Sequence, residues 1–227
     1  VENPDINYPG YIGKLDTDLA FILGLIAGDG YVGRDGIIFA SKDPRLKELF
    51  KKYAAKIFKK KFRENGDRVF IYSKDITGLL RHLGFNVGKK SYIRFLQDWL
   101  IRSNADVYAA FLLGLILTNG TVYRHSIVIY STDYNALKLI KEIGFSRGII
   151  LGGPYKHTNK LSKMYKLVLR GKYNLEFFAS FLDKLGFKYI KIPSSKRSFE
   201  YVPDVIMKVL KGLYRKYNIK YGDKYLI

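Results

Sequence analysis

The sequence predicts a tandem α+β protein in which each half has the element order α-β-β-α-β-β-α. Two internal repeats support this fold class. The apolar stretch Phe21–Tyr31 recurs as Phe111–Thr121, 90 positions later. The segment IIFASKD at 37–43 aligns without a gap with IVIYSTD at 127–133, at the same offset. At 227 residues, the chain is also long enough to bury a core, as one large domain or as two small ones.

The two apolar stretches are predicted to be helices that pack against each other. Small residues recur every fourth position in both copies: Ala20, Gly24 and Gly28, then Ala110, Gly114 and Thr118. Residues four apart lie on one face of a helix, and small residues there let a second backbone come close. We therefore expect this packing to bring together Asp29 and Asn119, which end the two copies.

Capping and turn residues define the first elements. Residues 1–15 contain two prolines, two glycines and several Asn and Asp positions, and predict an irregular arm. The segment 16–18, Asp-Thr-Asp, supplies N-cap candidates for the first motif helix, and Gly30 is expected to end it. Turn chemistry at 33–36, Gly-Arg-Asp-Gly, predicts a hairpin that leads into a strand at 37–41.

Capping and turn residues also predict the remaining elements of the first half. Asp43-Pro44 begins a predicted helix that runs to about Phe58, with apolar residues at helical spacing. A second hairpin turns at Asn65-Gly66. Asp75 is expected to cap a third helix, which ends before Gly84.

The second half starts at Asn104 and repeats this order. A helix is predicted from Tyr134 to Ile143, followed by strands around 149–151 and 165–170 with a longer loop between them. Val202-Pro203-Asp204 is expected to open a final helix. The predicted organisation is an arm at 1–15, a first half at 16–103 and a second half at 104–227.

The charge balance points to a polyanionic partner. The chain carries 40 Lys and Arg against 20 Asp and Glu, a net charge of +20. A ribosome-associated or merely basic surface is the alternative. The absence of cysteine excludes a disulfide scaffold and a thiol nucleophile, and three scattered histidines make a zinc centre improbable. Apolar runs of about ten residues are too short to span a membrane, and no signal-peptide pattern is seen, which favours a cytoplasmic location.

Two nonapeptides, one in each half, resemble the motif of a known protein family. ILGLIAGDG at 22–30 and LLGLILTNG at 112–120 resemble the LAGLIDADG motif of homing endonucleases, in the single-chain, two-motif form known from archaeal introns. The resemblance implies two antiparallel four-stranded sheets that form a saddle on double-stranded DNA around two packed motif helices. It also implies a monomer that cuts a long, nearly palindromic site with a divalent metal, Mg²⁺, bound between the helices. Some members are maturases that bind RNA, or regulators that do not cleave; an intron or intein origin stays open.

The resemblance assigns the metal ligands. The penultimate acid of each motif binds metal in that family, and this position is Asp29 in the first copy. Backbone carbonyls at Gly28 and Thr118 are natural auxiliary ligands. Asn119 departs from the pattern, since an amide brings an oxygen ligand but no negative charge. The resulting hypothesis is a protein that cleaves poorly, nicks one strand or only binds. The alternative for Asp29 is an ordinary Asp-Gly turn at a helix end.

The family also places basic or polar side chains around the metals. By alignment, the catalytic candidates here are Lys42, Lys90 and Lys196. A lysine at such a position polarises water or stabilises phosphate charge. The alternative for each is a phosphate contact or a solvated cation.

DNA recognition is expected from the strands, because alternate side chains of a strand lie on opposite faces and a two-stranded ribbon fits the major groove. Val69 and Ile71 are predicted to face the helices, while Arg68 and Tyr72 face outward. The candidates are Arg34, Asp35, Arg63, Arg68, Tyr72, Arg124, His125, Lys156, Asn159, Lys163, Lys166 and Arg170. The alternative for about half of them is contact with phosphate or water alone. A general basic RNA-binding protein is a second alternative, which explains the charge but not the repeat.

Overall fold

The computed structural model describes residues 3–8, 11–88, 97–123, 125–159 and 162–184. The predicted final helix after Val202 lies outside these residues. Within them, the order of elements repeats as the sequence predicts.

An N-terminal hairpin, β1 (Asp5–Tyr8) and β2 (Tyr11–Lys14), precedes the first half. The first half then consists of the following elements: α1 (Thr17–Asp29), β3 (Gly30–Val32), β4 (Gly36–Ala40), α2 (Pro44–Phe58), β5 (Arg63–Asn65), β6 (Arg68–Tyr72) and α3 (Lys74–His82). A short helix, α4 (Gln97–Arg102), leads to the second half.

The second half repeats these elements: α5 (Ala105–Asn119), β7 (Gly120–Tyr123), β8 (Ser126–Ser131), α6 (Tyr134–Ser146), β9 (Leu151–Asn159), β10 (Ser162–Arg170) and α7 (Lys172–Lys184). Each half forms an antiparallel four-stranded sheet, in the order β3-β4-β6-β5 and β7-β8-β10-β9. The two sheets have the same connectivity, so the predicted α+β duplication with two four-stranded sheets is confirmed.

Helix ends follow the predicted capping chemistry with one exception. The side chains of Asp16 and Asn104 accept hydrogen bonds from the backbone N–H groups of Leu19 and Val107, as expected for N-caps of α1 and α5. The predicted cap of α3 is wrong. Ser73 takes that role by accepting from the N–H of Ile76, and Asp75 lies in the first turn instead, where its charge suits the helix dipole.

The predicted long loop of the second half is also wrong, because β9 runs through it. Gly153 adopts a positive φ of 109°, and its carbonyl oxygen accepts a hydrogen bond of 2.7 Å from Lys141 Nζ on α6. A register shift between Lys166 and Val168 accommodates the extra length. Gly153 and Pro154 are therefore a bulge within a strand, and Gly152 keeps its pairing with Val168.

The prediction of an irregular arm is wrong as well, since Asp5–Tyr8 and Tyr11–Lys14 pair as the antiparallel strands β1 and β2. Ile6 is buried, and the ring of Tyr8 lies 5.7 Å from that of His82 on α3. Nearby, the side chain of Asn3 accepts a hydrogen bond of 2.8 Å from the backbone N–H of Asn104. Of the residues that suggested an irregular segment, Pro4 precedes β1, and Gly13 lies within β2 opposite Ile6. The N-terminal segment thus contacts α3 through Tyr8 of the hairpin and the start of α5 through Asn3, which precedes it.

The core is centred on α1 and α5, which are buried on nearly all sides, as expected of central helices. An ideal Cβ on Gly24 would lie 2.2 Å from the carbonyl oxygen of Phe111, and one on Gly114 would lie 2.3 Å from that of Phe21. Only glycine permits this backbone-to-backbone approach. The predicted packing of the two motif helices is therefore observed. No helix within the described ranges is long and apolar enough to cross a bilayer.

One turn further along, the two helices are not equivalent. An ideal Cβ on Gly28 would lie 1.7 Å from Thr118 Oγ1, so the Thr118 side chain fills the space that Gly28 leaves. Its hydroxyl donates back to the carbonyl oxygens of Gly114 and Leu115, at 3.0 and 3.1 Å. Because Gly24 meets Gly114 and Gly28 meets Thr118, the helices run parallel and in register.

This complementarity can be tested with a double-mutant cycle. We expect Gly28→Ala to lower the free energy of unfolding by about 1–3 kcal/mol, because the new methyl overlaps the Thr118 side chain. In a Thr118→Gly background the same change should cost at least about 1 kcal/mol less. Urea unfolding measures both. Gly114→Ala is the comparison, since its methyl meets backbone atoms and Thr118→Gly should not relieve it. Equal costs of Gly28→Ala in both backgrounds would contradict the packing.

The docking of the N-terminal hairpin on α3 predicts that Gly78→Ala changes stability in opposite directions with and without the Tyr8 side chain. An ideal Cβ on Gly78 in α3 would lie 1.8 Å from the Tyr8 hydroxyl oxygen, so Gly78→Ala should destabilise the protein by displacing Tyr8. In a Tyr8→Ala background, Gly78→Ala should instead stabilise it by up to about 1 kcal/mol, because alanine favours a helix more than glycine does. Thermal and urea unfolding of the four variants decide this. If Gly78→Ala is destabilising in both backgrounds, Tyr8 does not occupy the space beside Gly78.

Candidate functional site

The parallel helices end together, and each leads directly into the first strand of its sheet. Asp29 and Asn119 are the last residues of α1 and α5, and both are half-buried. The N–H groups of Gly30 and Gly120 bind the carbonyl oxygens of Ile26 and Ile116 and end the helices in extended conformation. One carboxylate and one amide therefore lie at the junction of the two halves.

The electrostatics of this junction favour a cation. Each helix carboxyl end carries a partial negative charge, and two such ends meet here. Neither α1 nor α5 has a basic residue in its last turn, although the chain as a whole has a net charge of +20. Asp29 adds a full negative charge when ionised. The basic residues that are abundant elsewhere in the sequence are thus absent from the last turns of these two helices.

The sheet registers connect this junction to basic residues in both halves. Gly30, which follows Asp29, pairs with Phe39 on β4, and the next residue of β4, Ala40, pairs with Arg68 on β6. In the second half, Gly120, which follows Asn119, pairs with Ile129 on β8, and the next residue of β8 is Tyr130. Tyr130 pairs with Lys166 on β10. Two basic side chains, Arg68 and Lys166, therefore occupy the same register position in the two sheets. Each lies two strands away from the strand that follows the helix end.

The outer face of the first sheet, which is the face away from α1 and α2, carries basic and aromatic side chains. Val69 and Ile71 are buried against the helices, whereas Arg68 and Tyr72 are exposed, as the alternation predicts. Arg63 pairs with Phe70 and so belongs to the same outer face.

Glu64 lies on the opposite face of this sheet, where it binds two lysines of α2. Its carboxylate binds Lys47 and Lys51 of α2, the latter at 2.9 Å. These two lysines lower the pKa of Glu64. The helix side of the sheet thus holds a charge network of its own, away from Arg63 and Arg68.

In the second sheet, register divides the candidates between two faces. Lys166 and Arg170 share the outer face, since Leu167 and Leu169 between and beside them are buried. The candidates at the far end of the β9–β10 hairpin differ. Lys156 pairs with Tyr165 and Lys163 pairs with Thr158, which places both lysines on the side opposite to Lys166. Both are exposed.

A cluster of aromatic side chains on the outer face of the second sheet was missed by the sequence reasoning. The hydroxyls of Tyr123 and Tyr130 are 3.1 Å apart, and the rings of Tyr130 and His157 are 5.1 Å apart. The hydrogen bond with Tyr123 is the main cause that raises the pKa of Tyr130 to about 12, with a smaller effect of burial. A signal was present, because Tyr130 aligns with Ala40 and is the larger residue at the position next to the helix end.

The two β-turns at the far ends of the sheets hold further candidates. Arg34 and Asp35 form the exposed β3–β4 turn, and Arg34 lines an open cavity of about 920 Å³ together with Arg81 of α3. Arg81 was not among the predicted residues. Asp35 lies 3.8 Å from Lys74 Nζ. His125 is exposed in the corresponding β7–β8 turn.

Lys42 is exposed directly after β4, two positions beyond Ala40. The preceding Ser41 accepts a hydrogen bond from the N–H of Asp43 at 3.1 Å, and Ser131 does the same for Asp133 at 3.0 Å. This local repeat fixes the exit of the second strand in both halves. Of the other candidates, Lys90, Lys196, Arg124 and the side chain of Asn159 lie outside the described part of the chain.

A metal cage made only of side chains is not found in the described ranges. No three His, Asp or Glu side chains converge there. A cation at the helix ends would therefore be held by Asp29, by amide or backbone oxygens, and by oxygens that a ligand and water supply.

Comparison with known proteins agrees with this geometry. Residues 16–97 match the sequence model of the LAGLIDADG-like domain. Among solved structures, the homing endonuclease I-DmoI in complex with DNA and Ca is similar, with a TM-score of 0.56, 16% identity, and coverage of 74% of this chain and 90% of that one. The chain has the LAGLIDADG fold.

Two further structures with the LAGLIDADG fold are similar. I-DmoI with DNA and Mn has a TM-score of 0.54 and 14% identity, and the alignment covers 78% of this chain and 100% of that one. Full-length DUF199/WhiA from Thermatoga maritima has a TM-score of 0.53 and 13% identity, covering 91% of this chain and 69% of that one. No curated protein sequence matches the chain. At these identities the likeness establishes the fold, and the motif helices of the LAGLIDADG fold correspond to α1 and α5.

The Tyr123–Tyr130 contact makes a titration prediction. We expect Tyr123→Phe to lower the pKa of Tyr130 from about 12 towards its ordinary value, because the hydrogen bond that raises it is removed. The raised pKa favours the neutral phenol in the folded state, so its contribution to stability is complete below about pH 10 and is lost as the pH rises through about 12. Ring ¹³C chemical shifts of labelled tyrosine measure the titration. Tyr134→Phe is the control, and an unchanged Tyr130 titration in Tyr123→Phe would contradict the assignment.

Proposed function

We propose that the protein is a metal-dependent endonuclease that binds double-stranded DNA across its two sheets, with Asp29 as the acidic metal ligand. The observation that carries the proposal is the parallel packing of α1 and α5, which brings Asp29 and Asn119 together between two basic, partly aromatic sheet faces. The DNA complexes of I-DmoI, on the same fold, support it.

The helix ends fit one hard divalent cation. Mg²⁺ is usually held by one or two carboxylates together with phosphate oxygens and waters. Asp29 would supply the carboxylate, Asn119 a neutral oxygen, and Gly28 and Thr118 their backbone carbonyls. The bound metal would activate water and offset the charge that develops on phosphate. The negative helix ends would stabilise such a metal, and the half-buried position of Asp29 and Asn119 would limit the water around it.

The outer sheet faces would hold the duplex. Two pseudo-symmetric sheets fit a site of about 20 bp, with each sheet in a major groove. On the first half, Arg63, Arg68 and Tyr72 share the outer face; on the second half, Lys166 and Arg170 do. Arg34 and Lys42 border the first of these faces and would contact phosphate. A protein that acts on DNA in this way belongs inside the cell, as a monomer carrying both motifs.

Asn119 favours a second candidate function, a DNA-binding protein on the same scaffold that nicks one strand or does not cut. Cutting two strands needs metal chemistry at two phosphates, and a single carboxylate brings half of the negative charge that two would bring. The proposed activity is therefore asymmetric, with the chemistry centred on the half that carries Asp29.

A pair of variants tests this proposal. On a duplex selected by the protein from a random library, Asp29→Asn should reduce Mg²⁺-dependent nicking by at least about 100-fold, because the charged metal ligand is removed. Its affinity for that duplex in metal-free buffer should stay close to that of the unaltered protein. Asn119→Asp should increase double-strand cleavage, since it restores a second carboxylate. Asp75→Asn, an exposed acid at the start of α3, is the control.

A second readout separates metal binding from activity. Mg²⁺ should raise the melting temperature of Asn119→Asp more than that of the unaltered protein, because a ligand that binds only the folded state stabilises it. Asp29→Asn should abolish the Mg²⁺ effect. If Asp29→Asn nicks as well as the unaltered protein, Asp29 is not the metal ligand. If neither protein binds any duplex, the proposal as a whole is wrong.

A further inference from the structure

The outer face of the first sheet carries several aromatic rings. Tyr31 of β3 alternates with the buried Val32, and 44% of Tyr31 is exposed. On β6, the rings of Phe70 and Tyr72 lie 6.1 Å apart and are nearly parallel, at 8°. Tyr72 is 65% exposed. Two tyrosine rings on this face are therefore open to a ligand.

The outer face of the second sheet is aromatic as well, through different residues. Tyr130 pairs with Lys166, and Lys166 pairs with Tyr155, so these three side chains form one row across the outer face. Tyr155 is 40% exposed, and Tyr123, whose hydroxyl contacts that of Tyr130, is 50% exposed. Both sheets thus present tyrosine rings to solvent.

These rings flank the junction of the two motif helices. Tyr31 is separated by one residue from Asp29, the last residue of α1. In the second half, Gly120 follows α5 and pairs with Ile129, and Tyr130 is the next residue after Ile129. The exposed tyrosines of both halves therefore begin at the helix ends, where the metal ligand is proposed.

Basic side chains lie between the rings, and acidic ones are absent from the same faces. Arg63 pairs with Phe70, and Lys166 lies between Tyr130 and Tyr155. Among the outward-facing positions of the described strands in the two four-stranded sheets, none is Asp or Glu. A face that combines stacking rings with cations is typical of sites that hold single-stranded nucleic acid.

A fully paired duplex gives these rings no surface on which to stack. Its grooves present base edges, with hydrogen-bond donors, acceptors and thymine methyl groups, while neighbouring base pairs cover the base faces. A tyrosine can still bind a duplex through its hydroxyl, which donates to phosphate. Stacking requires an unpaired base instead. The two modes use different parts of the side chain, the hydroxyl or the ring, and variants can separate them.

We propose that the exposed tyrosines of the outer faces stack on unpaired bases, and that the protein prefers DNA with a short unpaired stretch at the helix ends over a fully paired duplex. The inference rests on the proposed binding of DNA across the two sheets and names the form of DNA that this site takes. Paired DNA on either side would lie along the rest of the sheets. Tyr31 and Tyr155 provide the stacking surface, one in each half.

The preference is measured with labelled DNA probes in metal-free buffer. One probe is a 30-bp duplex of mixed sequence, and the second has the same flanks with six central thymines opposite thymines. The unaltered protein should bind the second probe at least about tenfold more tightly, because its central bases are exposed without the cost of unpairing and unstacking. Single strands of DNA and of RNA with the sequence of one strand are the further probes.

Two pairs of variants separate stacking from hydroxyl contacts. Tyr31→Leu and Tyr155→Leu remove the ring, whereas Tyr31→Phe and Tyr155→Phe remove only the hydroxyl. Each Leu variant should weaken binding of the unpaired probe by about 5- to 150-fold, the effect of losing one stacked base, and should lower the preference for that probe. Each Phe variant should keep the preference. Tyr134→Leu, which removes an exposed ring of α6, is the control and should keep it too.

The outcomes distinguish this inference from the proposed function. If the unaltered protein binds both duplex probes equally, stacking is wrong, and Mg²⁺-dependent nicking of the paired duplex would still support the proposed function. If the Phe variants lose as much affinity as the Leu variants, the hydroxyls bind phosphate and stacking is also wrong. Tighter binding of the RNA strand than of the DNA strand would overturn DNA as the ligand. If the preference is found but no duplex is nicked, the proposed function fails and the inference stands.

Discussion

The close approach of two glycine-bearing helices is the constraint on which the structure depends. Gly24 and Gly114 each face a carbonyl group of the other helix at a distance that no side chain allows. This contact sets α1 and α5 parallel and in register, and both sheets begin where these helices end. The position of Asp29, of Asn119 and of the outer sheet faces follows from it. A single close contact therefore determines the separation of the two halves of the site.

The two halves share one fold, but the residues at the candidate site differ between them. Ala40 and Tyr130 occupy equivalent positions beside the two helix ends, and the pair Asp29 and Asn119 differs in charge. The second hairpin is longer and more basic than the first. These differences lie at the helix ends and on the sheets, while the buried pair Gly24 and Gly114 keeps the repeat and the pair Gly28 and Thr118 does not. The duplicated core thus supports two halves whose surfaces differ in charge and in side-chain size.

The sequence predicted what depends on local signals. The repeat, most helix boundaries and the alternation of β6 follow from spacing, N-caps and turn residues such as Asp16 and Asn65. The rest depends on long-range contacts that no local pattern reports. The strands Asp5–Tyr8 and Tyr11–Lys14 form where Ile6 is buried and Tyr8 docks on a helix more than 60 positions away. The continuation of β9 through Gly-Gly-Pro depends on a bulge opposite β10 and on Lys141. For the candidate site, the motif located Asp29, whereas the tyrosine cluster required the strand register.

The fit of Thr118 against Gly28 has a consequence for assembly. In a pair of first halves, two glycines would face each other and leave a gap. In a pair of second halves, two threonine side chains would compete for a space that holds one. Only the unlike pair fills the junction without a void or an overlap. The contact between Gly28 and Thr118 therefore disfavours the pairing of like halves from two molecules. Gly28 lies one residue from the proposed metal ligand, Asp29.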